Sequence, residues 1–250
     1  MPPESAALTE DSKGKNLLPV LLAILFSILL LVTILLSAVD ATVCRGTGWF
    51  RKEYEKYSVL EDVRGEMSME SALQVTDEMM KYLIGERDDL VVMTTLDGKQ
   101  QEFFSQREKD HLHDCRGLFI SGFRIRNVCG IAALLVLVIA IFSGRKQRGN
   151  GLIFTRTVPQ ALVVIVLMLV TLGLIVARNF GRYFEMFHHT LFDNDLWILD
   201  PAEDNLINLL PEGFFVDTAG RILALGLGLT LLVSAIFFLL SYVMAKKAVR

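Results

Sequence analysis

Four stretches of the sequence are predominantly apolar and long enough to cross a lipid bilayer. They cover residues 16–39, 124–143, 159–177 and 219–244. An α-helix needs about 20 apolar residues to span a hydrocarbon core about 30 Å thick, and backbone groups in lipid must form their hydrogen bonds within the segment. Together with a hydrophobic content of 52% and a mean hydropathy of +0.45, these runs predict an α-helical polytopic membrane protein with four transmembrane helices.

The first apolar run follows Lys13 and Lys15 and must be distinguished from a secretory signal. A signal has an apolar region of about 7–15 residues that ends at a small-x-small cleavage site. This run is longer, and no such site followed by a soluble chain is evident. We therefore expect an uncleaved first span. Residues 1–15 are polar and show no periodicity, which predicts a disordered cytoplasmic tail.

The basic residues of the short loops predict the orientation of the four spans. The link between the second and third spans contains four basic residues and no acidic residue, and the C-terminal tail, residues 245–250, contains three basic residues. Short loops rich in Lys and Arg stay in the cytoplasm. We therefore expect both termini in the cytoplasm and a single membrane domain over residues 16–244, with residues 40–123 and 178–218 facing outward.

The charge and motif content argues against several classes of function. Residues 178–217 contain two arginines and eight acidic residues, and so acidic a surface argues against a nucleic acid partner. The sequence contains no Gly-rich phosphate loop and no GxSxG nucleophile elbow. Cys44 and Cys115 both lie in the outward segments, but two isolated cysteines define no disulfide framework, and their pairing is left open.

The outward segments contain signals for helices and for one β-hairpin. Apolar residues recur at helical spacing in residues 48–83, which predicts one or two amphipathic helices. In residues 89–104, two short β-rich runs flank an Asp-Gly dipeptide, which favours a two-residue hairpin turn. Residues 105–119 are helical in pattern and lead to the second span. We therefore expect an outward-facing cap of amphipathic helices with a small β-hairpin.

The outward segment after the third span is dense in aromatic and acidic residues. Residues 178–192 can continue as a helix, in which Phe184, His188 and Phe192 share one face. Asp and Asn at residues 193–195 interrupt this pattern, since their side chains stabilise turns. A connection this long and this apolar is typical of a structured and functional segment.

The chain has four histidines, and all lie in the outward segments: His111, His113, His188 and His189. An imidazole titrates near neutral pH and can take or give a proton there. In a helix over residues 105–119, His111 would share a face with Asp114 and Cys115, while His113 would point elsewhere.

Three interpretations of these histidines are open from the residues alone. Each could be an ordinary solvated or hydrogen-bonded surface residue. Together with Asp114 they offer enough nitrogen and oxygen ligands for zinc, but no HExxH motif and no paired-cysteine spacing accompanies them, and we predict no bound metal and no cofactor. As a proton-transfer pair, they would serve general acid/base catalysis.

Two stretches of the sequence resemble a known family. The stretch FHHTLFDNDLWILDPAEDNLINLLPEGFF, residues 187–215, is similar to a signature of the bacterial lipoprotein intramolecular transacylases (Lit), which are four-span membrane proteins. The stretch EKDHLHDCRGLF, residues 108–119, resembles their other signature, a His-(Leu/Met)-x-Asp step before the second span. The order, the spacing and the expected topology agree from residue 16 to residue 244.

The resemblance implies an acyltransferase. Members of this family move an acyl chain from the diacylglyceryl group of a lipoprotein's N-terminal cysteine to the α-amino group of that cysteine, which gives a lyso-form lipoprotein. The resemblance implies that His111 and His188 are catalytic and that the partners are diacylglyceryl-modified bacterial lipoproteins and membrane lipid. It also implies a multi-pass protein of the bacterial plasma membrane with its active site at the outer face.

The residues fit this chemistry. An amine attacks an ester only when it is uncharged, and a histidine with a pKa of about 6.5 suits an α-amino group with a pKa of about 7.7–8.0. Asp114 is expected to orient His111, and Asn194, Asp195 and Trp197 to shape the substrate site. The alternatives are a metal-dependent membrane hydrolase that uses the same histidines and a non-enzymatic membrane scaffold.

Overall fold

The computed structural model describes residues 4–248, most of which are helical. The helices are α1 (Glu4–Val39), α2 (Gly48–Lys56), α3 (Val59–Asp62), α4 (Met69–Leu83), α5 (Gln106–Lys146), α6 (Arg148–Ala177), α7 (Phe180–Leu191), α8 (Leu206–Leu209) and α9 (Glu212–Ala248), and a π-helical turn, Asp40–Cys44, follows α1. Two strands, β1 (Met93–Leu96) and β2 (Lys99–Glu102), lie between α4 and α5.

The described residues form two compact units. The membrane unit contains residues up to Leu35, Ile125–Leu172 and residues from Ala224, and the cap unit contains Leu36–Arg124 and Gly173–Leu223.

The predicted four spans are confirmed. Four helical stretches of the described chain are long and apolar enough to cross a membrane: Leu17–Cys44, Gln106–Lys146, Arg148–Ala177 and Glu212–Lys247. Helix α5 has 41 residues, and at about 1.5 Å per residue it is roughly twice as long as a hydrocarbon core is thick. The helix predicted over residues 105–119 and the second span are thus one continuous helix, whose polar first part belongs to the cap unit.

The predicted tails overlap the two ends of the described chain. Helix α1 begins at Glu4 and continues without a break into the first apolar run. The disorder and cytoplasmic location of residues 1–15 stay predictions. Residues 1–3 of that expected tail lie outside the described part of the chain. At the other end, α9 continues to Ala248, and residues 249–250 of the expected tail lie outside the described residues.

The membrane unit packs around three phenylalanine rings. The ring of Phe26 in α1 lies 5.7 Å from Phe154 in α6 and 5.5 Å from Phe237 in α9. Many other apolar side chains of these helices face outward, and Leu231 and Phe238 are 64% and 68% exposed. An apolar surface of this extent is unfavourable in water and favourable in lipid, as a set of membrane-spanning helices requires.

The cap unit has a hydrophobic core of its own. Phe50 and Tyr54 of α2 and Met79 of α4 are almost fully buried, and the Tyr54 hydroxyl hydrogen-bonds with Oγ1 of Thr76 at 2.6 Å. Burying a large apolar side chain stabilises a fold by about 1.5–3 kcal/mol. The amphipathic helices predicted over residues 48–83 therefore form a packed layer, because their apolar faces meet one another.

The predicted β-hairpin is confirmed. Strands β1 and β2 pair antiparallel, with Leu96 opposite Lys99. The two residues between them, Asp97 and Gly98, have φ angles of 52° and 72°, which is the left-handed pair that a type I′ turn requires. Leu96 is buried whereas every residue of β2 is exposed, so β1 is the strand that attaches the hairpin to the cap unit.

A capping box at the start of α5 joins two parts of the cap unit. The Glu108 carboxylate accepts a hydrogen bond from the backbone N–H of Ser105, and the Glu108 N–H donates to Oγ of Ser105 at 3.2 Å. This reciprocal pair is the capping box of a helix N-terminus. The other oxygen of Glu108 accepts from the N–H of Leu206 at the start of α8. One carboxylate that is 1% exposed thus fixes the start of α5 against α8.

We expect Glu108→Ala to lower the stability of the cap unit. The substitution leaves the half-buried N–H of Ser105 and the buried N–H of Leu206 without their acceptor, and hydrogen bonds to charged groups contribute about 1.5–3 kcal/mol each. The apparent melting temperature in detergent should fall by several degrees. The control is Glu102→Gln, which removes an exposed ion pair with Lys109 and should have little effect. Equal melting temperatures for the two variants would contradict this role.

Candidate active site

The structure brings together His111 and His188, which are distant in the sequence. His111 lies near the start of α5 and His188 lies in α7, and their ring centroids are 6.0 Å apart. Both imidazoles are buried, with exposed fractions of 8% and 7%. The two rings are therefore close enough for one bound substrate to lie near both.

Helix α7 places His188 on its inward face. The ring of Phe184 lies 4.3 Å and that of Phe192 lies 5.6 Å from the imidazole, as the four-residue spacing of the three residues predicts. Met186 and Phe187, which lie on other faces of the helix, are 56% and 50% exposed. His188 on one face of α7 is thus surrounded by aromatic rings, while the apolar side chains of Met186 and Phe187 on other faces are exposed.

A hydrogen bond to the backbone determines the tautomer of His188. Its Nδ1 atom lies 2.7 Å from the carbonyl oxygen of Phe184, and because a carbonyl only accepts hydrogen bonds, Nδ1 must carry the proton. Desolvation by burial lowers the pKa of His188 below its ordinary value, nearby His189 lowers it further, and the hydrogen bond to Phe184 opposes the shift. The ring is therefore held neutral, with its lone pair on Nε2.

His111 has a different set of neighbours. Its Nε2 atom lies 3.6 Å from Sγ of Cys115, one turn further along α5, and its ring meets Phe192 edge-on at 5.2 Å. Cys44 and Cys115 do not form a disulfide. Cys115 keeps an S–H group that can donate a hydrogen bond to Nε2 of His111. Nδ1 of His111 is buried and has no partner.

Two unpartnered buried polar atoms lie close to His188. In the part of the chain that the structure describes, three buried side-chain nitrogen or oxygen atoms lack a hydrogen-bond partner: Oε2 of Glu53, Nδ1 of His111 and Nε1 of Trp197. The Trp197 ring stacks on His188, with centroids 4.8 Å apart and planes at 27°. Buried polar groups are nearly always hydrogen-bonded, and each exception requires an explanation. Binding of a substrate would explain why Nδ1 of His111 and Nε1 of Trp197 have no partner in the protein.

The remaining residues that were expected to bind substrate hold the loop after α7 against α5. The side-chain amide of Asn194 donates to Oδ2 of Asp114 at 2.9 Å. Arg107, also in α5, donates to the backbone carbonyl of Asp195 at 2.5 Å. Together these contacts position the loop that carries Trp197. Of the four residues proposed from the sequence, only Trp197 makes a ring contact with the histidine pair.

Asp114 hydrogen-bonds with the loop after α7, and its predicted role in orienting His111 stays a prediction. Its carboxylate was expected to orient His111, since the two residues are one turn apart on α5. In the structure the carboxylate accepts its hydrogen bond from Asn194. Sequence reasoning missed Arg107 and the carbonyl of Phe184. Every residue has a backbone carbonyl, so residue types do not indicate which one accepts a hydrogen bond. Only the four-residue spacing between Phe184 and His188 could have suggested the hydrogen bond between them.

The other two histidines lie outside the pair. Nδ1 of His113 hydrogen-bonds with the hydroxyl of Tyr82 at 3.1 Å, so His113 points away from His111, as helical spacing predicts. His189 meets the Trp197 ring edge-on at 5.0 Å and is exposed. Within the described residues, no three His, Cys, Asp or Glu side chains are grouped as ligands of a metal ion would be.

A family model described as lipoprotein intramolecular transacylase Lit matches residues 24–215. The chain belongs to the Lit family. The matched range includes both histidines and the loop with Trp197. A search of curated proteins finds no match.

Solved structures of a Lit protein share the fold. The membrane-integral Lit of Bacillus cereus, determined in meso, is 22% identical, with a TM-score of 0.69 over 92% of this chain and 97% of that chain. Two variants of that protein, in which one histidine is replaced by arginine or by alanine, are each 20% identical with a TM-score of 0.69. They cover 96% and 95% of this chain, and 97% and 98% of their own. These likenesses support the four-span fold with its cap.

We expect His188 to bind a proton more weakly in the folded protein than in the unfolded chain. NMR of histidine-labelled protein in detergent gives four imidazole signals, which single His→Gln variants assign. Because burial lowers the pKa of His188, its signal should titrate with a midpoint below about 6.5. The free energy of unfolding should correspondingly fall as the pH decreases below that value. The unfolded protein in denaturant is the control, and equal midpoints in the two states would contradict the assignment.

Proposed function

We propose that this protein moves an acyl chain from the diacylglyceryl group of a lipoprotein's N-terminal cysteine to the α-amino group of the same cysteine, which gives a lyso-form lipoprotein. The observation that carries the proposal is the buried pair of imidazoles, His111 and His188, with ring centroids 6.0 Å apart in a chain of the Lit family. Such a pair can accept a proton at one ring and donate a hydrogen bond from the other.

In this proposal His188 is the general base. The hydrogen bond of Nδ1 to Phe184 leaves Nε2 as the basic atom, and the lowered pKa keeps that atom unprotonated at neutral pH. An α-amino group has an ordinary pKa of about 7.7–8.0, so a fraction of it is uncharged at neutral pH, and only this form attacks the ester. As the uncharged nitrogen bonds to the ester carbonyl carbon, one N–H proton passes to Nε2 of His188.

His111 acts as a hydrogen-bond donor to the oxyanion. If the Cys115 thiol donates to Nε2 of His111 across their 3.6 Å contact, the neutral ring carries its own proton on Nδ1. That is the buried atom without a partner. An N–H fixed in a buried site stabilises the charge that develops on the ester oxygen in the transition state.

The tetrahedral intermediate collapses when the bond between the carbonyl carbon and the glycerol oxygen breaks. The proton on His188 passes to the departing oxygen, so the products are an amide and an alcohol, and both imidazoles return to their starting state. The ester and the amine belong to one substrate. Holding them in the reacting geometry lowers the barrier, and the proposed transfer therefore needs neither an acyl-enzyme nor a cofactor.

The proposed site suits a substrate in the outer leaflet. His111 and His188 belong to residues 40–123 and 178–218, which the distribution of Lys and Arg predicts to lie outside the membrane, with both termini in the cytoplasm. The glyceride ester of a lipoprotein lies at the boundary between acyl chains and head groups. The exposed apolar side chains of α7, Met186 and Phe187, favour contact with lipid near the proposed site.

We expect His188→Ala and His111→Ala to abolish most transacylation. The protein is produced in bacterial cells whose lipoproteins carry a diacylglyceryl-cysteine with a free amine, and their N-terminal lipopeptides are analysed by mass spectrometry. Loss of the base should lower the rate by about 10²–10⁴-fold, and loss of the donor by about 10²–10³-fold. Lyso-form lipopeptides should therefore appear with the unmodified protein and be nearly absent with either variant.

His113→Ala is the matched control, because His113 lies on the same helix but hydrogen-bonds with Tyr82 and should leave the reaction unchanged. Lipopeptides that stay diacylated with the unmodified protein would contradict the proposed function. Activity of the His188→Ala variant equal to that of the control would contradict base catalysis by this residue. Activity that disappears with a chelator would favour a metal-dependent reaction.

A further inference from the structure

Trp197 carries a polar group that the mechanism above does not use. Its Nε1–H is buried and has no acceptor within the described protein. An indole N–H is a donor only, and an unpaired donor in a buried site is unfavourable. The second tryptophan of the chain behaves differently, because Trp49 donates its Nε1–H to Oγ1 of Thr218 at 3.0 Å.

The indole of Trp197 is held in place by other contacts. Its ring stacks on His188 at 4.8 Å, and the edge of His189 meets it at 5.0 Å. The loop that carries it is tied to α5 by the hydrogen bond from Asn194 to Asp114 and by that from Arg107 to the carbonyl of Asp195. The position of the indole is thus fixed without any hydrogen bond from its own N–H.

Two unpartnered nitrogens belong to rings that lie near the proposed base. The ring of His111 in α5 lies 6.0 Å from that of His188, and the ring of Trp197 in the loop after α7 lies 4.8 Å from it. Nδ1 of His111 and Nε1 of Trp197 both lack a partner. An oxyanion in acyl transfer is commonly bound by two N–H donors, because the charge builds on an oxygen with more than one lone pair.

We propose that Nε1–H of Trp197 is the second donor to the oxyanion of the tetrahedral intermediate, beside Nδ1–H of His111. Trp197 is then a catalytic residue that keeps its proton throughout, since no bond to the indole forms or breaks. The inference rests on the proposed transacylation. It predicts that the N–H, and not only the ring, is required.

Trp197→Phe tests this requirement, because it removes the N–H and keeps an aromatic ring against His188. We expect kcat for transfer on a purified diacylglyceryl lipopeptide to fall by about 10²–10³-fold, as on removal of one oxyanion donor, with KM nearly unchanged. The His188 imidazole should titrate as in the unmodified protein. Trp49→Phe is the matched control, since the Nε1–H of Trp49 bonds with Thr218, and its kcat should be unchanged.

A kcat of Trp197→Phe equal to that of Trp49→Phe would overturn the inference, and so would an effect on KM alone. In either case the unmodified protein still forms lyso-form lipopeptide. If the unmodified protein forms none, it is the proposed function that fails. The two failures are therefore distinguishable in one set of assays.

A binding measurement on the unmodified protein does not depend on the folding of any variant. The probe is a lipopeptide analogue in which an anionic phosphonate replaces the ester carbonyl and so resembles the tetrahedral intermediate. Protein with ¹⁵N-labelled tryptophan gives two indole signals, which Trp49→Phe assigns. The Trp197 signal should move downfield on binding while the Trp49 signal stays in place. An analogue that leaves the Trp197 signal unmoved, or that does not bind, contradicts the inference.

Discussion

The hydrogen bond between Nδ1 of His188 and the carbonyl of Phe184 determines which chemistry this site can perform. A neutral imidazole is a donor at one nitrogen and a base at the other, and the 2.7 Å contact with a carbonyl assigns the donor role to Nδ1. Without that contact either nitrogen could carry the proton. With it, the basic Nε2 has a defined position in a ring that Phe184, Phe192 and Trp197 surround.

Burial has two consequences at this site, and both suit the proposed acyl transfer. It lowers the pKa of His188, so that the proposed base is unprotonated at neutral pH. It also encloses Nδ1 of His111 and Nε1 of Trp197, and neither atom has a hydrogen-bond partner in the described protein. Donors held in this way need no reorganisation when charge develops on a substrate oxygen. Their positions depend on the capping box of Glu108 and on the contact between Asp114 and Asn194, because these fix the start of α5 and the loop after α7.

The parts of the structure that the sequence predicts are those governed by local rules. Span length defines the four membrane helices, Asp97-Gly98 defines the hairpin turn, and four-residue spacing places Phe184 and His188 on one face. Tertiary partners follow from no such rule. Asp114 is one turn from His111 on α5, yet its carboxylate bonds with a side chain from another segment. The tautomer of His188 likewise depends on the distance between Nδ1 and the carbonyl oxygen of Phe184, and residue types do not predict that distance.

The ¹⁵N chemical shifts of the His188 ring at neutral pH test the central claim most directly. The two nitrogens of a neutral imidazole differ strongly in shift according to which one carries hydrogen, so the tautomer can be read without a substrate. We predict a protonated Nδ1 and an unprotonated Nε2. A ring protonated at Nε2 alone, or at both nitrogens, would contradict the assignment of His188 as the base.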